Sequence, residues 1–247
     1  MMTRLLVRAA APLACTALAL FSFTGREGRH NAPGYKAAEV QFTCPVDGNR
    51  FSSPVTYSYT DFGTTKDLMQ KNGEGKFYEH QVHSCPRCHY SGYKQDYEEE
   101  LTDYQKQAVH RIVRKHKGKI DQVAENLLAA KIHVALGEYP WAQADLYLYA
   151  SYLLRDKEFR QDERKQYQAR AAELLIERPF DETEQGQRAK AQALYLAAEL
   201  YRRAGKFDHA TQTFGDAGEI ALKPDGLQTL IDQQYALAEQ RNDDNTL

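Results

Sequence analysis

The feature that most constrains this chain is a pair of cysteine turns. Cys85-Pro86-Arg87-Cys88-His89-Tyr90 holds two thiols three residues apart behind a proline, and Cys44-Pro45-Val46-Asp47-Gly48 repeats the pattern with a carboxylate in place of the second thiol. Two thiols at this spacing can grip zinc as half of a ribbon or form a redox-active disulfide. With a histidine directly after them, as His89 is here, they also spell the attachment signature for haem c. A fourth outcome is an inert local disulfide. The echo at Cys44 favours the first. In a zinc knuckle the first cysteine ends a strand and the turn aims two ligands at one ion, so two knuckles complete a tetrahedral set. The expected ligands are Cys44, Asp47, Cys85 and Cys88, and the expected ion is Zn2+. His80, His83 and His89 are rival fourth ligands, and Asp47 before Gly48 also fits an ordinary turn residue.

The N-terminal segment bears on the cysteine count. Arg4 and Arg8 give a basic start, Ala9 to Phe23 is uncharged and mostly apolar, and Gly25-Arg26-Glu27-Gly28-Arg29 ends the run. This is the layout of an export signal over residues 1–24. The run is short for a membrane span of about 20 apolar residues, though an uncleaved N-terminal anchor has the same layout. The chain is therefore expected in the periplasm or outside the cell, touching a membrane only through this segment. Of four cysteines, Cys15 lies in the signal, and Cys44, Cys85 and Cys88 remain. An odd set cannot pair fully within one chain, and a metal accounts for it better than disulfides do.

Past a Gly-, Arg-, Asn- and Pro-rich linker (residues 25–38), the patterning divides the chain in two. Residues 39–93 read as a small β module. Phe51, Val55, Tyr57 and Tyr59 mark a strand with one apolar face. Asp61-Phe62-Gly63 breaks it, Asn72-Gly73-Glu74-Gly75 turns the chain, and Phe77 to Ser84 reads as a strand leading to Cys85. So small a module with few aliphatics has little core of its own, and a structural metal would supply cohesion. Residues 94–241 read as helices. The first runs from the acids at Asp96–Asp103 to the bases Arg111–Lys119, a charge order that suits the helix dipole. Helices at 119–136, 140–155, 158–177, 183–204, 207 onward and 227–240 follow, with Asp181 and Glu184 as a capping pair for the fifth. Residues 242–247 form a polar tail. The fold class is α+β. A net charge of -2 supplies no field for nucleic acid.

Two helix hairpins share a pattern, Gly137-x-Tyr139-x-x-Ala142 and Gly205-x-Phe207-x-x-Ala210-x-x-x-Phe214-x-x-Ala217. The glycine turn, aromatic and small crossing residue resemble the tetratricopeptide repeat, and the two glycines lie two periods of roughly 34 residues apart. Knuckles and helices together resemble a bacterial family of unknown role, domain-of-unknown-function family 2225. Its members pair a Cys-Pro-x-Cys-Gly knuckle with a later Cys-Pro-x-Cys-Gly-Tyr knuckle before helices of this repeat type. The matching residues are Cys44-Pro45-Val46-Asp47-Gly48, Phe51, Asp67-Leu68 and Cys85-Pro86-Arg87-Cys88-His89-Tyr90, within about residues 40–220. Asp47 stands where the family has cysteine, and His89 where it has glycine. The resemblance implies a zinc-ribbon-like module followed by a TPR-like array, with no established activity.

No Ser-His-Asp set, phosphate loop or paired-histidine metalloprotease motif occurs, and His110, His116, His133 and His209 are scattered along helices. The expected role is an exported, non-enzymatic scaffold whose helical repeats hold a protein partner. The alternative is a c-type haem electron-transfer protein on Cys85, Cys88 and His89, although no methionine follows Met69 and a distal ligand would have to be Met69 or a histidine such as His110. A third reading is a thiol-disulfide oxidoreductase using Cys85 and Cys88. It lacks the strand-to-helix setting that lowers a thiol pKa.

Overall fold

The computed structural model describes residues 35–72, 77–116 and 119–244. The export signal expected at 1–24, residues 25–34 of the linker and the Gly73-Glu74-Gly75 turn lie outside the described residues. The architecture is α+β: three small antiparallel strand pairs, then a helical array.

Strand β1 (Tyr35–Thr43) pairs with β2 (Arg50–Tyr59) in a hairpin whose loop is the first cysteine turn. Residues 35–38, expected as linker, belong to β1. Phe42 and Phe51 face each other across the ladder with rings stacked at 5.4 Å. Asp61-Phe62-Gly63 does more than break the strand. It forms β3 (Asp61–Thr64), which pairs with β4 (Gln70–Asn72). The strand expected over Phe77–Ser84 is mostly a 3₁₀ turn, Phe77–His80. The buried Tyr78 explains the change: its ring packs on Tyr149 and Tyr152, and its hydroxyl accepts the Gln70 N–H at 2.9 Å. Only β5 (His83–Ser84) is extended, and it pairs with β6 (Ser91–Gly92) around the second cysteine turn.

The first long helix is shorter than the charge pattern predicts. Lys94–Tyr97 is a 3₁₀ turn, and α1 spans Asp103–Val113. Its start is set by a reciprocal cap, in which Gln105 N–H donates to Thr102 Oγ1 and Thr102 N–H donates to Gln105 Oε1. Helices α2 (Gln122–Ala135), α3 (Ala144–Leu153), α4 (Gln161–Glu177), α5 (Glu184–Arg203), α6 (Phe207–Glu219) and α7 (Leu227–Glu239) follow. The cap of α5 is Thr183, whose Oγ1 accepts the Gly186 N–H at 3.0 Å. Asp181, the expected cap, instead accepts from Thr183.

From α2 onward each helix packs on the next, and α5 also meets α7. The turns after α2 and α5 are the same device. Gly137 (φ 103°) and Gly205 (φ 76°) adopt left-handed backbone. Their N–H groups return to Val134 and Arg202, and the next residues' N–H groups reach His133 and Tyr201. This is the Schellman pattern, which glycine adopts without a Cβ penalty.

Two large apolar clusters and two smaller ones, around Leu146 and around Leu154, fill the interior of the described residues. One large cluster joins α3 through α7 around Leu174, Tyr195, Leu200 and Phe214. The other joins Phe42, Cys44, Cys85, Tyr90 and Tyr97 to Val109 of α1 and to Leu128 and Ile132 of α2. The β module therefore shares its core with the first two helices.

A buried carboxylate ties the β module to the later helices. Asp67, between β3 and β4, is 0% exposed and receives Arg155 Nη2 at 2.7 and 2.6 Å, with Arg203 Nη1 at 3.5 Å. Thr65 Oγ1 also donates to it, at 2.5 Å. The adjoining backbone is gripped as well, since Tyr195 donates to Lys66 O at 2.7 Å and Tyr152 donates to Asp67 O. Burial alone pushes the Asp67 carboxyl up. Arg203, Arg155 and the hydrogen bonds outweigh it and hold the pKa below the ordinary 3.8. A carboxylate with a depressed folded pKa contributes stability above its unfolded value and loses it as pH falls through the folded value. Asp67→Asn should lower unfolding free energy by about 3–5 kcal/mol at pH 7, the cost of stranding buried charge, seen as a lower urea midpoint. The gap between wild type and variant should narrow as pH falls below the unfolded pKa of 3.8. A midpoint within error of wild type at pH 7 would show that Asp67 is not the tie.

Candidate metal centre

The two cysteine turns have the same backbone. In the first, Cys44 N–H donates to Asn49 O and Gly48 N–H donates to Cys44 O, both at 2.9 Å. In the second, Cys85 N–H donates to Tyr90 O at 2.8 Å and His89 N–H donates to Cys85 O at 2.9 Å. Gly48 and His89 occupy the same left-handed position, at φ 68° and 62°. That position explains why a glycine suits it. His89 fills it at a cost of roughly 1–2 kcal/mol for a residue with a Cβ. Cys44 thus corresponds to Cys85, and Asp47 to Cys88.

The hairpins bring these four residues together. One ligand atom from each of Cys44, Asp47, Cys85 and Cys88 lies within 4.8 Å of all the others. The Sγ atoms of Cys44 and Cys88 are 3.5 Å apart, and Cys85 Sγ is 3.8 Å from Asp47 Oδ1. A disulfide needs about 2.05 Å, and all three cysteines are free. Sulfurs held about 2.3 Å from a tetrahedral zinc stand somewhat under 4 Å apart, so the observed spacing suits a shared ion. Cys44 and Cys85 are buried in the core shared with α1 and α2, while Cys88 lies nearer the surface.

Asp47 is positioned by residues that the sequence reading did not single out. Arg87 Nε donates to its Oδ2 at 2.7 Å, and Arg87 Nη2 donates to its backbone oxygen at 2.9 Å. Asn49 N–H donates to Oδ1 at 3.0 Å, and Asn49 Nδ2 reaches Cys85 Sγ at 3.6 Å. Oδ2 is thereby turned to Arg87 and Oδ1 to the thiols. Burial pushes the Asp47 carboxyl up, but the Asn49 N–H, Cys44 and Arg87 bring it below 3.8. Within the thiol set, the hydrogen bond with Cys88 lowers the Cys44 pKa and raises that of Cys88, while burial raises that of Cys85. The sequence signal for Arg87 was its place between the two thiols, opposite a turn bearing a carboxylate.

The rival ligands stand elsewhere. His83 is buried rather than half exposed. Its Nδ1 pairs with Ser53 Oγ at 3.0 Å, and its ring lies 4.6 Å from that of Phe42. Burial, with His80 and Lys94 nearby, draws its pKa down to about 4. Neither His80 nor His89 joins the cluster. His133 is buried between Asp96 at 2.9 Å and Glu138 at 3.5 Å, a polar joint between the 3₁₀ turn and α2.

Searches against curated proteins and against solved structures found no match. A family model described as "Uncharacterized protein conserved in bacteria (DUF2225)" matches residues 38–238. That stretch runs from within the first strand to the end of the last helix, and the chain belongs to this family.

Proposed function

We propose that this protein is a metal-stapled scaffold: a zinc-ribbon-like module fixed to a TPR-like helical array that holds a protein partner outside the cytoplasm. The observation that carries the metal reading is the convergence of Cys44, Asp47, Cys85 and Cys88 from two matching turns. Three thiolates and one monodentate carboxylate are a donor set that zinc accepts. A bound ion would supply cohesion that two-stranded hairpins lack on their own. The paired glycine turns after α2 and α5 support the repeat reading, because hairpins of this kind bury their apolar faces only by stacking. Export rests on the N-terminal sequence pattern alone.

The haem and disulfide readings use the same residues differently. Haem attachment needs Cys85 and Cys88 to face a macrocycle, with His89 beneath it. Here both thiols turn toward Cys44 and Asp47, and Cys85 is 0% exposed. A redox pair draws its reactivity from a helix N-terminus or a neighbouring cation, whereas this pair lies in the loop between β5 and β6, and the cation beside it, Arg87, is turned to Asp47.

Metal analysis of the purified protein should find about one zinc per chain, released on acidification as the thiolates protonate. Cys85→Ser should abolish binding and lower the melting temperature. Because Cys85 packs in the core of α1 and α2, amide exchange should rise there and in the hairpins and stay low in α4–α7. Metal-free protein with a disulfide among the three cysteines would defeat the metal reading. Asp47→Cys should tighten zinc, so that removal by a chelator slows by about tenfold or more, in line with the scale of ligand-shell effects on affinity. An unchanged removal rate would show that Asp47 is not a ligand.

A further inference from the structure

A cluster of arginines and carboxylates lies inside the helical array. Arg164, Arg202 and Arg203 are buried and Arg155 is one-fifth exposed, while the buried carboxylates beside them are Asp67 and Glu199. Arg164 lies within electrostatic range of Arg155, Asp67 and Arg203. Gln161 links it to the end of α3, accepting from Arg164 Nη1 at 3.2 Å and donating to Leu154 O at 3.0 Å.

The remaining donors of Arg164 have nowhere to go. The residue is 3% exposed, yet its Nε and Nη2 meet no acceptor. Those two nitrogens form one edge of the planar guanidinium, the edge that grips two oxygens of one oxyanion side by side. Neighbouring arginines show it in use: Arg202 turns this edge to both oxygens of Glu199, and Arg160 turns it to both oxygens of Glu163, at 2.7 to 3.0 Å. Near Arg164, Arg155 Nε also lacks an acceptor. So does the amide nitrogen of Gln168, one helical turn along α4 on the same face, whose Oε1 likewise has no donor. Buried donors of this kind are almost always paired in native proteins, and a buried charge without a partner is strongly destabilising.

We propose that Arg164, helped by Arg155 and Gln168, binds a small oxyanion, a carboxylate or an inorganic phosphate, inside the array beside the Asp67 tie. The partly exposed side chain of Arg155 brings the cluster to the surface. Burial, with Arg155 and Arg203 close by, draws the Arg164 pKa down to about 10 against the opposing pull of Asp67 and Asp156. This site shares no residue with the thiol cluster and stands whether or not that cluster holds a metal.

The test is thermal unfolding of the full chain at pH 7 and fixed ionic strength in sodium chloride, sodium acetate or sodium phosphate. Saturating oxyanion should raise the melting temperature by about 5 °C over chloride, the scale of strong ligand linkage in a chain of this size. A shift with acetate alone identifies a carboxylate site, and a shift with phosphate alone a phosphate site. Arg164→Gln should abolish the shift. Arg164→Lys keeps the charge but loses the fork, so it should weaken the apparent affinity at least tenfold even if the Gln variant fails to fold. The proposal is overturned if neither oxyanion exceeds chloride, which would leave water on the donors. It is equally overturned if the Lys variant, or a folded Gln variant, responds as wild type does.

Discussion

Asp67 is the residue on which the arrangement of the two halves depends. A carboxylate buried without compensation would be protonated or expelled. Here Arg155 from the end of α3 and Arg203 from the end of α5 compensate it, and tyrosines from α3 and α5 take the neighbouring carbonyls. The grip is directional because the carboxylate and the two adjoining carbonyls are held from different helices: Arg155 and Arg203 on the carboxylate, Tyr195 on Lys66 O and Tyr152 on Asp67 O. Apolar burial alone would let the β3–β4 hairpin slide on the helices. Leu68 (φ 58°) holds left-handed backbone directly after this residue, a conformation that persists only where surrounding contacts enforce it.

The cysteine turns solve a different problem. Their hairpins are short, and β5 and β6 have two residues each. Such pairs are not stable alone. Two sources of cohesion are open to them. One is the apolar seam from Phe42, Tyr90 and Tyr97 into α1 and α2, in which Tyr97 also donates to His83 O and Tyr90 O at 2.7 and 2.9 Å and so clips β5 to β6. The other would act only through a bound metal ion: the cluster of thiols and carboxylate that could hold one, in which Arg87 pairs with Asp47. In place of a fourth cysteine the chain has an ion pair whose outer member, Arg87, is 63% exposed. Coordination would then rest on a carboxylate shared between a metal and a solvated guanidinium, a weaker hold than a fourth thiolate.

Much of this was legible in the sequence, and the rest failed for identifiable reasons. The grouping of Cys44, Asp47, Cys85 and Cys88 could be read because two turns with matching Cys-Pro spacing can meet only if their hairpins stand face to face. The helices from α2 onward could be read because apolar periodicity and glycine turns are local signals. The first helix was overextended because Asp96 looked like a dipole partner. In the fold it accepts from Tyr93 N–H and pairs with His133, contacts that no local pattern encodes. The segment Phe77–His80 was misread because Tyr78 answers to α3, some seventy residues away. Glu199, Arg202 and Arg203 carried a faint signal, with spacing of three and four on one helix face, but that spacing also describes a solvated ion-pair ladder. Only packing shows that these charges are inside. The polar tail carries no such signal either, and there Asn242 O and Asp244 O accept from Arg202.

These attachments make the protein a single mechanical unit rather than a module on a tether. The cysteine turns bind α1 and α2 through apolar contact, and the β3–β4 hairpin binds α3 and α5 through Asp67. The β segment therefore spans most of the array before the array itself begins in sequence. The Asp67 loop covers part of α3 and α5. A change in the cysteine cluster would reach α2 directly through Leu128 and Ile132, and α3 through the packing of α2 on α3. The cluster and the buried charges fix different joints of one assembly: the first brings the two cysteine turns together, and the second holds the β3–β4 hairpin on α3 and α5.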